Sequence, residues 1–141
     1  MNIKRKLLVL STVLFACLLF ECDDDNSTNC ESGICTDIFM SVAVSVKHAS
    51  NNTAYVLTDY KVFRLSDNLD ITITDDNLTD NNGYYQITND SKRDLFKFKN
   101  TEVEFTGYLN DVLVIQKRFT ITSDCCHVSL VEGVTEFFLY P

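Results

Sequence analysis

Met40-Ser41-Val42-Ala43-Val44-Ser45-Val46-Lys47 decides the fold class. Met40, Val42, Val44 and Val46 alternate with Ser41, Ala43, Ser45 and Lys47. A period of two places the apolar set on one face of an extended chain and the small or charged set on the other. The same alternation recurs downstream. Tyr55 to Leu65 supplies further strand, with Tyr60 and Val62 alternating with Lys61. Ile71 and Ile73 face one way within Leu69 to Thr74, and Tyr84 to Thr88 resumes extended structure. Val103 and Phe105 alternate with Glu102, Glu104 and Thr106. Leu113, Ile115, Lys117, Phe119 and Ile121 form a returning face. Cys126, Val128 and Leu130 continue it, and Thr135 to Tyr140 closes the chain.

Polar clusters punctuate these runs. Ser50-Asn51-Asn52-Thr53 and Ser66-Asp67-Asn68 read as turns, and Asp75 to Gly83 as a polar loop. Asn110-Asp111 suits a two-residue hairpin, because both residue types tolerate the left-handed backbone that tight hairpins demand. Asn89 to Asn100 is the ambiguous stretch. Asp90 or Ser91 can cap a short helix with Leu95 and Phe98 at helical spacing, or Phe96 and Phe98 can be alternate strand residues; a short helix or irregular crossover is favoured. The expectation is an all-β fold: an antiparallel sandwich of seven or eight short strands, prealbumin-like or immunoglobulin-like, with a closed barrel second. The Cys-Trp-Cys framework of an immunoglobulin domain is missing, since the chain has no Trp.

Composition agrees. The 141 residues suit one domain, and with a hydrophobic fraction of 45% they do not describe a disordered chain. Only four Gly and one Pro interrupt it. Twelve Lys and Arg against twenty Asp and Glu give a net charge of −8. That balance excludes nucleic acid as a partner, because phosphate binding needs clustered cations.

The N-terminus speaks to location. Lys4, Arg5 and Lys6 precede Leu7 to Phe20, a run of 14 residues without charge. A basic start before a short apolar run is the pattern of a bacterial secretory signal, and the run is shorter than the ~20 residues of a membrane span. Leu14-Phe15-Ala16-Cys17 resembles the lipobox of a bacterial lipoprotein signal peptide, with a small residue before the Cys to be acylated. Cys22 is the rival, because Asp23-Asp24-Asp25 follows it as in surface-exported lipoproteins of Bacteroidota, but Glu21 precedes it where that signal peptidase wants Gly, Ala or Ser. The resemblance implies a signal peptide over 1–16 (alternatively 1–21), lipidation at Cys17 (alternatively Cys22), an acidic tether over 17–36 and the sandwich over 37–141.

Six Cys point to an oxidising compartment. Cys30, Cys35, Cys125 and Cys126 are expected to form two disulfides. Joining Cys125 to its neighbour Cys126 is strained, because strand neighbours point apart, so Cys30 and Cys35 should each pair with one of Cys125 and Cys126. Which crosswise connectivity forms stays open at this stage.

No residue pattern declares a catalyst or a cofactor. Cys30, Cys35, Cys125, Cys126 and His127 have the ligand types of a zinc site, but Cys125-Cys126 lacks the two-residue gap that lets ligands converge. Cys126 and His127 are adjacent, hence opposed, and make a poor nucleophile pair. His48 reads as a solvated side chain at a strand end, and Glu102 and Glu104 as residues of a wet face. Asp75, Asp76, Asn77, Asp80, Asn81 and Asn82 do not fit calcium-loop spacing and read as a hydrophilic turn. Neither metal nor cofactor is expected.

Taken together, the lipoprotein start, Cys30 and Cys35 before the first strand, Tyr60-Lys61-Val62-Phe63-Arg64-Leu65-Ser66, Phe105-Thr106-Gly107-Tyr108 and Ser123-Asp124-Cys125-Cys126-His127-Val128 resemble a group of small Bacteroidota surface lipoproteins of unassigned function. Those are similar to prealbumin-like or carboxypeptidase-regulatory-like sandwiches. The Asn51-Asn52-Thr53-Ala54 hairpin departs from the Gly and Pro usual there. The resemblance implies a lipid-anchored protein of the cell envelope, on the outer membrane, acting as a non-catalytic binding or structural module with an envelope protein or glycan as partner. The alternative is an anchored or secreted enzyme or enzyme inhibitor. An aromatic patch exposed on one sheet face is the feature that only the binding reading needs.

Overall fold

The computed structural model describes Cys30, residues 34–73 and residues 82–140. Among these are eight strands: β1 (Ser41–His48), β2 (Asp59–Arg64), β3 (Leu69–Asp70), β4 (Tyr84–Asn89), β5 (Thr101–Leu109), β6 (Val112–Ser123), β7 (Val128–Glu132) and β8 (Glu136–Leu139). They form a three-stranded sheet in the order β4-β1-β8 and a five-stranded sheet in the order β3-β2-β5-β6-β7. The fold is an all-β sandwich. All pairings are antiparallel but one: β8 runs parallel to β1 at the edge of the smaller sheet.

The alternation read from sequence forms the core. Val42, Val44 and Val46 of β1 and Tyr85 and Ile87 of β4 meet Tyr60 and Val62 of β2, Val103 and Phe105 of β5, and Ile115, Phe119 and Ile121 of β6. Tyr85 lies edge-on to Tyr60 with ring centroids 5.4 Å apart, and Phe119 lies edge-on to Phe137 of β8 at 6.3 Å. Edge-to-face packing suits the ring quadrupole, and large buried rings supply much of the apolar burial. Gly107 of β5 faces this core. A Cβ there would lie 2.5 Å from Leu57 Cδ1 and 2.6 Å from Ile115 Cγ2, so Leu57 fills the space a side chain would need.

Local deviations follow the chemistry of the connections. Asn110 and Asp111 have φ of 49° and 65°, the paired left-handed residues of a type I′ hairpin. Asn52 and Asn68 also adopt positive φ in their turns. The ambiguous stretch after β4 is a short 3-10 helix, Asp90–Leu95, and its cap is Asn89, one residue before the expected pair, with the Asn89 side chain accepting from the Ser91 N–H at 3.0 Å. Phe96 then plugs the core.

Two expected strands are shorter than read. Tyr55 and Leu57 are buried but lie ahead of β2 in a crossover tied to Tyr85, whose hydroxyl accepts from Leu57 N–H at 2.6 Å and donates to Tyr55 C=O at 3.0 Å. β3 spans two residues, and Ile71 enters the core just past its end. β6 keeps Ile115, Phe119 and Ile121 inward, but Leu113 is exposed because the register shifts at Gly107/Tyr108 beside it. Among the described residues no helix is long and apolar enough to cross a membrane.

Candidate functional site

The four downstream cysteines converge. Cys30 is bonded to Cys125 and Cys35 to Cys126, each with Cα atoms 5.3 Å apart and with sequence separations of 95 and 91. This is one of the two crosswise connectivities. The turn that presents the adjacent pair is built by Asp124, whose Oδ1 accepts from the N–H of Cys126 and of His127, both at 2.7 Å. Those two N–H groups hold the Asp124 carboxyl below its ordinary pKa.

Beside the staple sits a clasp that sequence reading did not anticipate. Asp90 opens the 3-10 segment, and its Oδ1 accepts from Val128 N–H and its Oδ2 from Met40 N–H, both at 2.8 Å. His127 Nδ1 lies 2.8 Å from the same Oδ2, and His127 Nε2 lies 2.9 Å from Thr36 Oγ1. Burial pushes the Asp90 pKa up, but the Met40 N–H, His127 and the Val128 N–H outweigh it, and the carboxyl titrates below its usual range. One carboxylate thus ties the approach to β1 to the start of β7, and His127 links it onward to Thr36, the residue after Cys35. A cleft of about 320 Å³ opens over this clasp, with Ile38, Phe39 and Arg93 on its wall.

The second region is the outward face of the smaller sheet. Ser45 of β1 lies opposite Tyr84 of β4 and Glu136 of β8, and Lys47 lies opposite Phe138. Cross-strand partners and residues two apart share a face, so Tyr84, Ser45, Glu136, Lys47 and Phe138 form one surface, with Ala43 and Gln86 in the next row. Tyr84 is 57% exposed and Phe138 49%, and Tyr140, two residues on, is 82% exposed. Lys47 Nζ and Glu136 Oε1 form an ion pair between the two rings, and that bond raises the lysine pKa. Beneath them Ser45 and Gln86 are 7% and 8% exposed, and neither Ser45 Oγ nor Gln86 Oε1 has a hydrogen-bond partner among the described residues.

The opposite wall of the sandwich is different in kind. Glu102 and Glu104 point outward from β5, as expected of a wet face, and Arg118 Nε donates to Glu104 Oε2 at 3.3 Å across the strands. His48 corrects its expected role. It is half-buried, with its ring 4.6 Å from that of Tyr55, because the hairpin after β1 folds back on the strand end. Among the described residues no group of three or more His, Cys, Asp or Glu side chains is placed to hold a metal ion. Cys17, Cys22 and residues 75–81 of the polar loop lie outside the described residues; Asn82 turns into β4.

Sequence reading missed Asp90, Thr36 and the outward rings. The rings were legible in principle: Tyr84 and Gln86 alternate with the buried Tyr85 and Ile87, and Glu136, Phe138 and Tyr140 share a parity. Comparison with known proteins finds no family model that matches the chain, and no curated protein or solved structure similar to it.

Proposed function

We propose that this chain is a lipid-anchored, non-catalytic binding module of the cell envelope, and that the outward face of its smaller sheet is the contact surface. The observation that carries the reading is the placement of Tyr84 and Phe138 on either side of the Lys47–Glu136 ion pair. Two large rings exposed on one sheet face with a charged pair between them supply the apolar and polar elements that a contact surface needs. The signal-like N-terminus, with Cys17 or Cys22 as the acylated residue, supplies the anchor, and the acidic tether sets the domain off from the membrane.

Photo-crosslinking in cells tests the reading. A photoactivatable side chain replacing Tyr84 is expected to give an envelope adduct, and one replacing Gln116 on the outer wall of the larger sheet is not. Equal yields from the two positions would contradict it.

The enzyme alternative has one observation in its favour. Thr36, His127 and Asp90 follow the order hydroxyl, imidazole, carboxylate. The carboxylate of that series is also held by two backbone N–H groups, which suits a structural clasp. Hydrolysis of a p-nitrophenyl ester that is abolished by both Thr36→Ala and His127→Ala, with the disulfides intact, would favour the enzyme.

A further inference from the structure

We infer that the outward face of the smaller sheet is a saccharide subsite, built for an uncharged sugar about two rings long. This rests on the reading of that face as the contact surface and names the chemistry of its ligand. Sugars present two kinds of surface at once: patches of C–H that stack on aromatic rings, and a rim of hydroxyls that both donate and accept hydrogen bonds. The face offers the complement of each.

Tyr84 and Phe138 supply the platforms. They stand on the two edge strands of the sheet, offset by two strand spacings and one side-chain row, which places them roughly 12 Å apart. Between them lie a donor and an acceptor, Lys47 and Glu136, already paired. The pair leaves the patch without net charge, so it offers no attraction to an anionic ligand and matches polyol hydroxyls.

The floor is the independent observation. Ser45 and Gln86 are more than nine-tenths buried on this outward face, with Oγ and Oε1 unpartnered among the described residues. Buried polar groups are almost always satisfied, so two unsatisfied ones next to Tyr84, one across the strand and one a row along, are a feature to explain. Small rotations of the exposed Tyr84 side chain and the half-buried Lys47 side chain would open these atoms to ligand hydroxyls, giving hydrogen bonds that they lack among the described residues.

Size selects a sugar over a protein. Three strands by three rows cover roughly 200–300 Å², well below the ~800 Å² that each partner buries in a stable protein interface. An oligosaccharide reaches useful affinity on such an area.

The test is titration of the isotope-labelled full chain with neutral oligosaccharides, namely maltohexaose, cellohexaose, mannohexaose and N-acetylchitohexaose, followed by amide shifts. At least one probe should saturate, with the largest shifts at Ser45, Tyr84, Gln86 and Phe138. Tyr84→Ala and Phe138→Ala should each weaken it roughly 3–10-fold, and Gln116→Ala should leave it unchanged. Because both rings are exposed, unchanged shifts in the core report whether each variant stays folded. No response to any of the four probes, or saturation that both ring variants leave intact, would overturn the saccharide inference. Isolated envelope material added to the same sample separates the two levels. Shifts on this face from that material without a response to oligosaccharides would refute the sugar and keep the contact surface, and silence toward both would refute both.

Discussion

Asp90 Oδ2 lies 2.8 Å from His127 Nδ1, joining residues 37 apart at the point where two disulfides fasten the chain ahead of β1 to the chain ahead of β7. Three further bonds to these two side chains, from Met40 N–H, Val128 N–H and Thr36 Oγ1, tie the end of the β1–β4 ladder to the start of β7 and to the chain beside Cys35. The disulfides bring the segments together, and the carboxylate fixes their register.

Removing that carboxylate should be expensive. Asp90→Ala strips the acceptor from the part-buried Val128 N–H and from the exposed Met40 N–H, and a buried donor left unpaired costs about 1–3 kcal/mol, whereas an exposed one is taken over by water. Urea unfolding should show a loss of about 1–3 kcal/mol with the disulfides still formed. A loss under 0.5 kcal/mol would show that water replaces the clasp.

Acid should loosen the same junction. Asp90 and Asp124 both titrate below their ordinary value in the folded chain, so the unfolded state takes up protons more readily. Their contribution is fully present above about pH 4, the unfolded carboxyl range, and is lost as pH falls through the lower folded values. Thermal unfolding midpoints measured from pH 6 down to pH 2 should fall below about pH 4, and Asp90→Asn should flatten that fall.

The disulfides join residues with sequence separations of 95 and 91. In the chain-entropy account each is worth about 4–5 kcal/mol before strain, and the two do not add because the loops overlap. Unreduced peptide mapping should recover Cys30 with Cys125 and Cys35 with Cys126, and mild reduction should lower the unfolding midpoint sharply. Free separation of the Cys30–Cys35 peptide from the Cys125–Cys126 peptide would refute the staple.

Acylation is checked by metabolic labelling with palmitate. The full chain should incorporate label, and one of Cys17→Ser and Cys22→Ser should abolish it while the other leaves it. An intact Met1 terminus on the protein recovered from cells would contradict the lipoprotein reading.

The sandwich was readable because burial is one-sided. Wherever a strand has one wet face, period two exposes it, and Val42 to Val46, Val103 to Phe105 and Ile115 to Ile121 all behave so. The strand ends were less legible. Tyr55, Leu57 and Ile71 are apolar because the core needs them, although they pack from crossovers, and apolar character alone does not distinguish the two. The parallel pairing of β8 with β1 is a long-range choice with no local signal. The disulfides could be narrowed to crosswise pairing by the strain of joining Cys125 to Cys126, but choosing one pattern required the turn that Asp124 builds. Asp90 was invisible as a clasp because its partners are backbone N–H groups from two distant segments. Tyr84 and Phe138 were visible as strand residues, and only the register that lines them up with Ser45 and Lys47 makes them one surface.

The measurement that bears most directly on the binding account is co-sedimentation of the full chain, extracted in detergent, with isolated cell-envelope polymer, comparing wild type with the Tyr84→Ala/Phe138→Ala double variant. The account predicts that wild type sediments with the polymer and that the folded double variant, its disulfides intact, stays in the supernatant. Equal sedimentation of the two proteins, or none by either, would contradict it.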